Sequence, residues 1–288
     1  MNLDQASRLR AMARQQVPET ALFRSRVLAI TSGKGGVGKT NVVAGLALTL
    51  AKLGQRVAVL DADFGLANLD ILLGLSPTHT LEHVLRGEKV LEEIVLEGPM
   101  GIRVIPASSG IQELTRLDTA SELRLIQGLQ RISETIDWLL IDTAAGIHDS
   151  VVKLLLAAQE VLLVTTPEPT SLVDAYAMVK VVHLRDSEKT LWVLVNNAHS
   201  EAEAEETLEQ LQAASQRFLG REVKALGMIP SDSSLLQSVR EQRSVVEQFP
   251  RSPSALAFRQ IADQLMKKVP LQKDGFASFW KQLSLEES

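Results

Sequence analysis

A lysine and a threonine closing a glycine-rich run, with aspartates closing two apolar runs, could together act on a polyphosphate. The run Gly33-Lys34-Gly35-Gly36-Val37-Gly38-Lys39-Thr40 fits the phosphate-cradling pattern G-x-x-x-x-G-K-[ST]. Its glycines let backbone N–H groups turn inward on phosphate oxygens. The helix expected to follow adds the positive end of its dipole. Lys39 would reach the β- and γ-phosphates, and the Thr40 hydroxyl would hold Mg²⁺. Asp61 and Asp63 follow one apolar run and Asp142 follows another. Carboxylates beside a polyphosphate anchor Mg²⁺, usually through water, or orient the attacking water. One such aspartate alone could equally be a helix cap, but three beside a glycine loop point to chemistry.

Alternating apolar runs and helical patterns must position these groups. The sequence predicts strands at 27–31, 56–60, 102–106, 137–142, 160–165, 191–195 and 223–229. Between and after them it predicts helices at 41–53, 120–135, 150–158, 171–184, 201–218 and 252–268, the fifth acidic and mostly exposed. This rhythm means βαβ units: an α/β fold with a mainly parallel sheet and helices on both faces. In such sheets ligands sit at the carboxyl ends of strands, where the glycine loop and the aspartates fall. Three regions follow: a basic segment at 1–25, the globular domain at 26–268, and a linker with a terminal helix at 269–288.

Composition narrows the chemistry. The 288 residues are 45% hydrophobic but only 4% aromatic, which suits an aliphatic core between sheet and helices. There is no cysteine, so thiolate zinc sites, iron–sulfur ligation through cysteine and cysteine nucleophiles are excluded. The five histidines are scattered; His79 and His83 are four apart, with no third ligand nearby in the sequence. A net charge of −5 argues against a DNA-binding surface spread over the domain. No apolar run approaches the ~20 residues of a membrane span, and no signal peptide is evident, so a cytoplasmic protein is expected.

The second lysine of the loop, Lys34, makes the motif resemble the deviant P-loop of the MinD/ParA ATPase superfamily. In that family the early lysine crosses a dimer interface to the partner's nucleotide, so the resemblance implies an ATP-dependent homodimer with Lys34, Lys39 and Asp63 as catalytic groups. The run from Asp61 to Asp70 resembles the family's switch I, in which Asp63 would position the hydrolytic water and Asp61 would support Mg²⁺. The run from Leu140 to Ile147 resembles the Walker B strand and switch II. Asp142 would hold Mg²⁺ through water, and the Gly146 N–H would sense the γ-phosphate. No glutamate follows Asp142, so hydrolysis would lean on Asp63 and be slow. Residues of the loop and Asn41 would bind nucleotide. Asn196 would pair with the adenine edge, and Pro230 and Asp232 would pack on adenine and ribose. The segment from Thr166 to Tyr176 matches the family too and would be interfacial.

The flanks resemble one branch of the family, the flagellar-number ATPases (the FlhG/FleN group). Asp4-Gln5-Ala6-Ser7-Arg8-Leu9-Arg10 is similar to that group's activator peptide, D-Q-A-x-x-L-R. The resemblance implies that Asp4, Gln5, Ala6, Leu9 and Arg10 stimulate a signal-recognition-type flagellar GTPase. Relatives of this branch are also tied to a flagellar transcriptional activator, which leaves an adaptor role open. At the other end Phe276, Phe279, Trp280 and Leu283 fall on one helical face. That face could lie in a membrane interface or dock on the core, consistent with reversible peripheral binding to the inner membrane, at a cell pole. DNA partitioning, as in ParA relatives, is disfavoured by the charge, and no specific nucleic acid is expected.

Overall fold

A computed structural model of the chain describes residues 25–63, 69–106, 124, 127–128 and 131–268. Eight strands form one sheet in the order β3-β4-β2-β5-β1-β6-β7-β8. They are β1 (Arg26–Thr31), β2 (Val57–Ala62), β3 (Leu96–Glu97), β4 (Arg103–Pro106), β5 (Trp138–Thr143), β6 (Glu160–Thr165), β7 (Thr190–Ala198) and β8 (Lys224–Pro230). All pairings are parallel except that of β3 with β4. That two-residue edge strand was not legible beforehand, because so short an element carries no period.

The inner strands are buried on both faces, and alternation splits them between two cores. On β1, Val27 and Ala29 face one core while Leu28 and Ile30 face the other. The same holds for Leu139 and Ile141 against Trp138 and Leu140 on β5.

Helices α1 (Lys39–Lys52), α2 (Leu69–Leu72), α3 (Leu81–Leu85) and α4 (Leu91–Ile94) precede β3. Later come α5 (Asp149–Ala157), α6 (Pro169–Arg185), α7 (Glu201–Leu219), α8 (Ser233–Arg240), α9 (Val245–Gln248) and α10 (Pro253–Lys268). One core takes side chains from α3 to α7; the other takes them from α1, α2, α9 and α10, including the fully buried Phe258. The acidic helix α7 buries Ala204, Thr207, Leu211 and Ser215 as a narrow stripe and leaves its glutamates outside. It starts on Ser200, whose hydroxyl accepts from the Glu203 N–H, and ends on Gly220. The short helices α2 to α4, α8 and α9 were not predicted, since four to eight residues are too few for a helical period to stand out. Of the helix predicted at 120–135, the described residues 124, 127–128 and 131–133 are helical.

At the amino ends of the strands a buried ion pair joins β1, β6 and α10. Arg26 pairs with Glu160 at 2.6 Å, donates to the Leu265 carbonyl at 2.6 Å and lies over the Trp138 ring. Glu160 also accepts from Trp192 Nε1 at 2.7 Å.

Candidate functional site

The site stands at the opposite end of the sheet. β1 lies between β5 and β6, and the chain leaves its carboxyl end directly into the glycine loop. Asp61 on β2 and Asp142 on β5 are register partners, and Asp142 is also level with Ile30 on β1. Strand pairing alone thus brings two carboxylates to the mouth of the loop. Gly38 ends the loop in the left-handed region, φ 83°, which only glycine adopts at little cost, and its carbonyl accepts from Val42 in the first turn of α1.

Lys39 opens α1 and turns back under the loop. Its side chain is 6% exposed, and its ammonium pairs with Asp142 Oδ1 and lies 3.7 Å from Asp63 Oδ2. Burial pushes the Asp142 carboxyl up, and Lys39, by attraction and hydrogen bonding, and then the Thr40 hydroxyl work against that rise. Asp61 is pushed up to about 7, first by burial and then by the charge of Asp142; the Asp63 N–H and Lys39 offset part of this. Three carboxylates therefore share one buried cation.

Asp142 Oδ2 is buried with no hydrogen-bond partner among the described residues. A buried orphan carboxylate oxygen is costly unless something cationic or a bound water reaches it. No group of three or more acidic or histidine side chains forms a direct metal cage among the described residues. Mg²⁺ held here would need phosphate and water for most of its shell, which is how this ion is usually bound. Thr40, Asp61 and Asp142 fit that demand.

Lys34 lies outside the cluster. Its Nζ is 2.9 Å from Glu168 Oε2 and 3.0 Å from Thr170 Oγ1, at the start of α6. The loop itself presses on α6: a Cβ at Gly33 would fall 2.3 Å from the backbone of Asp174. Two exposed aliphatic side chains are Val173, beside Asp174 in the sequence, and Ile147, which follows Gly146.

Other predicted residues are placed differently from the sequence reading. The Gly146 N–H donates to the Ser32 carbonyl at 2.9 Å, so that bond must open before this N–H can meet a phosphate. Asn196 is buried, with Nδ2 donating to the Val37 carbonyl at 2.7 Å. Asn41 lines a crevice with Leu235 and Val239 of α8. Pro230 ends β8. Asp232 Oδ1 accepts from Ser234 N–H, and its Oδ2 accepts from both the N–H and the hydroxyl of Ser254. Burial would raise this carboxyl, yet the bonds from Ser254 and Ser234 hold it below the usual range. Its oxygens tie α8 to α10, so Asp232 fixes the shape of the loop that follows β8.

The activator-like residues Asp4 to Arg10, the switch residues 64–68 and the apolar face of Phe276, Phe279, Trp280 and Leu283 lie outside the described residues. The grip of Glu168 and Thr170 on Lys34 was not foreseen, since no spacing rule links positions so far apart in sequence. A cleft of about 380 Å³ lies elsewhere, between Leu72, Pro99 and Arg243, and contains none of the charged cluster. No helix among the described residues is long and apolar enough to cross a membrane.

Known proteins share this arrangement. The ParA family model, described as an NUBPL iron-transfer P-loop NTPase, matches residues 24–266. The antiactivator FleN of Pseudomonas aeruginosa is 48% identical over 83% of this chain and 86% of its own length. The flagellum site-determining protein YlxH of Helicobacter pylori is 35% identical over 97% of this chain and 98% of its own. The septum site-determining protein MinD of Pyrococcus horikoshii, solved with Mg-ADP, superposes with a TM-score of 0.67 at 27% identity, covering 84% of this chain and 96% of its own. With its loop lysines, strand-end aspartates and central β1 in place, the chain belongs to the ParA/MinD family of P-loop NTPases, ATPases that bind a nucleotide with Mg²⁺.

Proposed function

We propose that this protein is an ATP-dependent dimerising switch that regulates the number and placement of flagella. One observation carries the reading: Lys39 is buried among Asp142, Asp63 and Asp61, with a carboxylate oxygen left over, while Lys34 stands exposed at the rim. This occurs in a chain nearly half identical to an antiactivator and a third identical to a flagellum site-determining protein.

ATP enters along the loop, and the backbone N–H groups of 33–40 and the Lys39 ammonium take the phosphates. Thr40, Asp61 and Asp142 would hold Mg²⁺, which would supply neutralising charge to the phosphates. Lys39 then exchanges its bond to Asp142 for phosphate oxygens. Asp63 accepts a hydrogen bond from the attacking water and orients it. Asn196 and Pro230 serve the adenine. Lys34 leaves Glu168 and Thr170 and reaches the nucleotide of a second copy, with Ile147 and Val173 on the same rim.

In the dimer two C-terminal segments, bearing Phe276, Phe279, Trp280 and Leu283, bind the inner membrane together. Pairing matters because one short amphipathic segment binds lipid weakly. Gln5 and its neighbours Asp4, Ala6, Leu9 and Arg10 act on a signal-recognition-type GTPase at the cell pole. Hydrolysis returns the monomer to the cytoplasm.

Replacing Asp63 with Ala should trap the dimer: light scattering in Mg-ATP should give twice the monomer mass, and a monomer there would refute the switch. Gln5→Ala should keep ATP turnover and lose stimulation of the GTPase. A second reading is favoured by the similarity to the antiactivator FleN: an adaptor that restrains a flagellar transcriptional activator, with nucleotide only setting its shape. A pull-down of such an activator that is equally strong with and without ATP would favour the adaptor.

A further inference from the structure

Both flanking segments join the domain at one place. Residues 1–24 run into Ser25 and Arg26 at the head of β1, and residues 269–288 follow the last turn of α10. A single side chain spans the gap between these attachments: Arg26 Nη1 donates to the Leu265 carbonyl at 2.6 Å, close to where α10 ends at Lys268. The attachments lie at the amino ends of the strands, opposite the phosphate loop. Two exposed lysines stand beside them. Lys267 is in the last turn of α10, and Lys224 lies over the ring of Trp192, whose Nε1 bonds the Glu160 that pairs with Arg26.

The two segments carry complementary halves of a membrane anchor. The C-terminal one has the apolar face of Phe276, Phe279, Trp280 and Leu283, but sets only Lys273 and Lys281 against Asp274, Glu286 and Glu287. Its charge opposes anionic lipid. The N-terminal one sets Arg8, Arg10, Arg14 and Arg24 against Asp4 and Glu19. A weak apolar anchor holds stably when a basic cluster adds a second signal. We propose that the two flanks bind an anionic bilayer as one composite anchor, the C-terminal face inserting and the N-terminal arginines, with Lys224 and Lys267, taking lipid headgroups. Because the attachments adjoin, docking of one segment holds the other at the same patch of bilayer, so the second contact is intramolecular. The proposal rests on the membrane reading above and goes beyond it by giving the N-terminal segment a lipid-binding task.

The test is cosedimentation of the full chain in Mg-ATP with vesicles of phosphatidylcholine alone and vesicles that also contain phosphatidylglycerol. Wild type is compared with Arg14→Gln combined with Arg24→Gln, and with Trp280→Glu. Arg14 and Arg24 lie outside the activator-like run, which the double variant leaves intact. Each arginine removed should weaken binding to the anionic vesicles about fivefold, so the double variant should bind about twentyfold more weakly. Its binding to phosphatidylcholine alone should match wild type, and high salt should erase the difference on anionic vesicles. Trp280→Glu should lose binding to both. Equal binding of the double variant and wild type to anionic vesicles would overturn the proposal. So would an equal loss on both kinds of vesicle, or a loss that survives high salt, because neither is headgroup charge. Wild-type affinity in Trp280→Glu would overturn the composite anchor and leave the arginines acting alone. A wild type that binds neither kind of vesicle would instead remove the membrane reading itself, a distinct failure.

Discussion

The two ends of the sheet both bury charge, and they do so to opposite effect. At the amino ends, Arg26 and Glu160 form one pair of balanced charge, and the Leu265 carbonyl, the Trp192 indole and the Trp138 ring take up most of what remains, leaving only Arg26 Nε without a hydrogen-bond partner. At the carboxyl ends, one lysine faces three aspartates, one oxygen has no partner and one carboxyl is raised to about 7. Buried charge that is nearly balanced by its neighbours holds a fold together. Buried charge left in deficit costs stability and is kept where a ligand completes it. The contrast separates a structural clamp from a site although each sets a buried cation against carboxylate.

Breaking the clamp should have the largest effect. Arg26→Ala leaves Glu160 buried without its cation and should cost about 3–5 kcal/mol of folding stability, read by urea unfolding. That approaches the whole stability of a marginal domain. Combining Arg26→Met with Glu160→Gln, which keeps an acceptor for Trp192, should recover most of the loss. A mild effect of Arg26→Ala would mean that this end is no clamp.

At the other end stability and activity should part company. Asp142→Asn removes a buried charge, so urea unfolding of the ligand-free protein should show little loss or a gain of about 1 kcal/mol. Its ATP turnover should nevertheless fall by roughly a hundredfold, equivalent to about 2.7 kcal/mol in the barrier. Parallel losses of stability and turnover would erase the distinction between the two ends.

The pH dependence sharpens it further. The Asp61 carboxyl sits near 7 in the folded protein against about 3.8 in a free chain, so between those values the folded state holds the extra proton. Stability of the ligand-free protein should therefore fall as pH rises through that window, by an amount on the order of 4 kcal/mol from this residue. Asp61→Asn should remove that part of the slope. A slope identical in both proteins would show that Asp61 is already charged at low pH.

The smallest effect belongs to the rim. Lys34 and Glu168 are both exposed, and pairs of that kind contribute about 0–1 kcal/mol. Glu168→Gln should leave unfolding unchanged within error, and a loss above about 1 kcal/mol would assign the pair to the structural class instead.

What could be read beforehand followed from periodicity and motif. The run from Val27 to Ile30 has apolar residues at every position, as a strand buried on both faces must, and the loop with its strand-end aspartates carries its own pattern. Three things were not legible. Glu168 and Asn196 reach the loop from strands and helices far along the chain, and only the sheet order brings them there. Asp232 also accepts from Ser234 and Ser254 and so ties α8 to α10, a structural task that spacing cannot reveal. Arg26 and Glu160 each open a mostly apolar strand, where a charge looks like the exposed start of the strand rather than half of a buried pair.

The central claim is that the charge deficit around Lys39 is completed by a magnesium nucleotide. Equilibrium dialysis of the full chain against Mg-ATP tests it most directly. Saturable binding of one nucleotide per chain, lost when Mg²⁺ is chelated, is the result expected; no binding at millimolar Mg-ATP by a folded protein would contradict it.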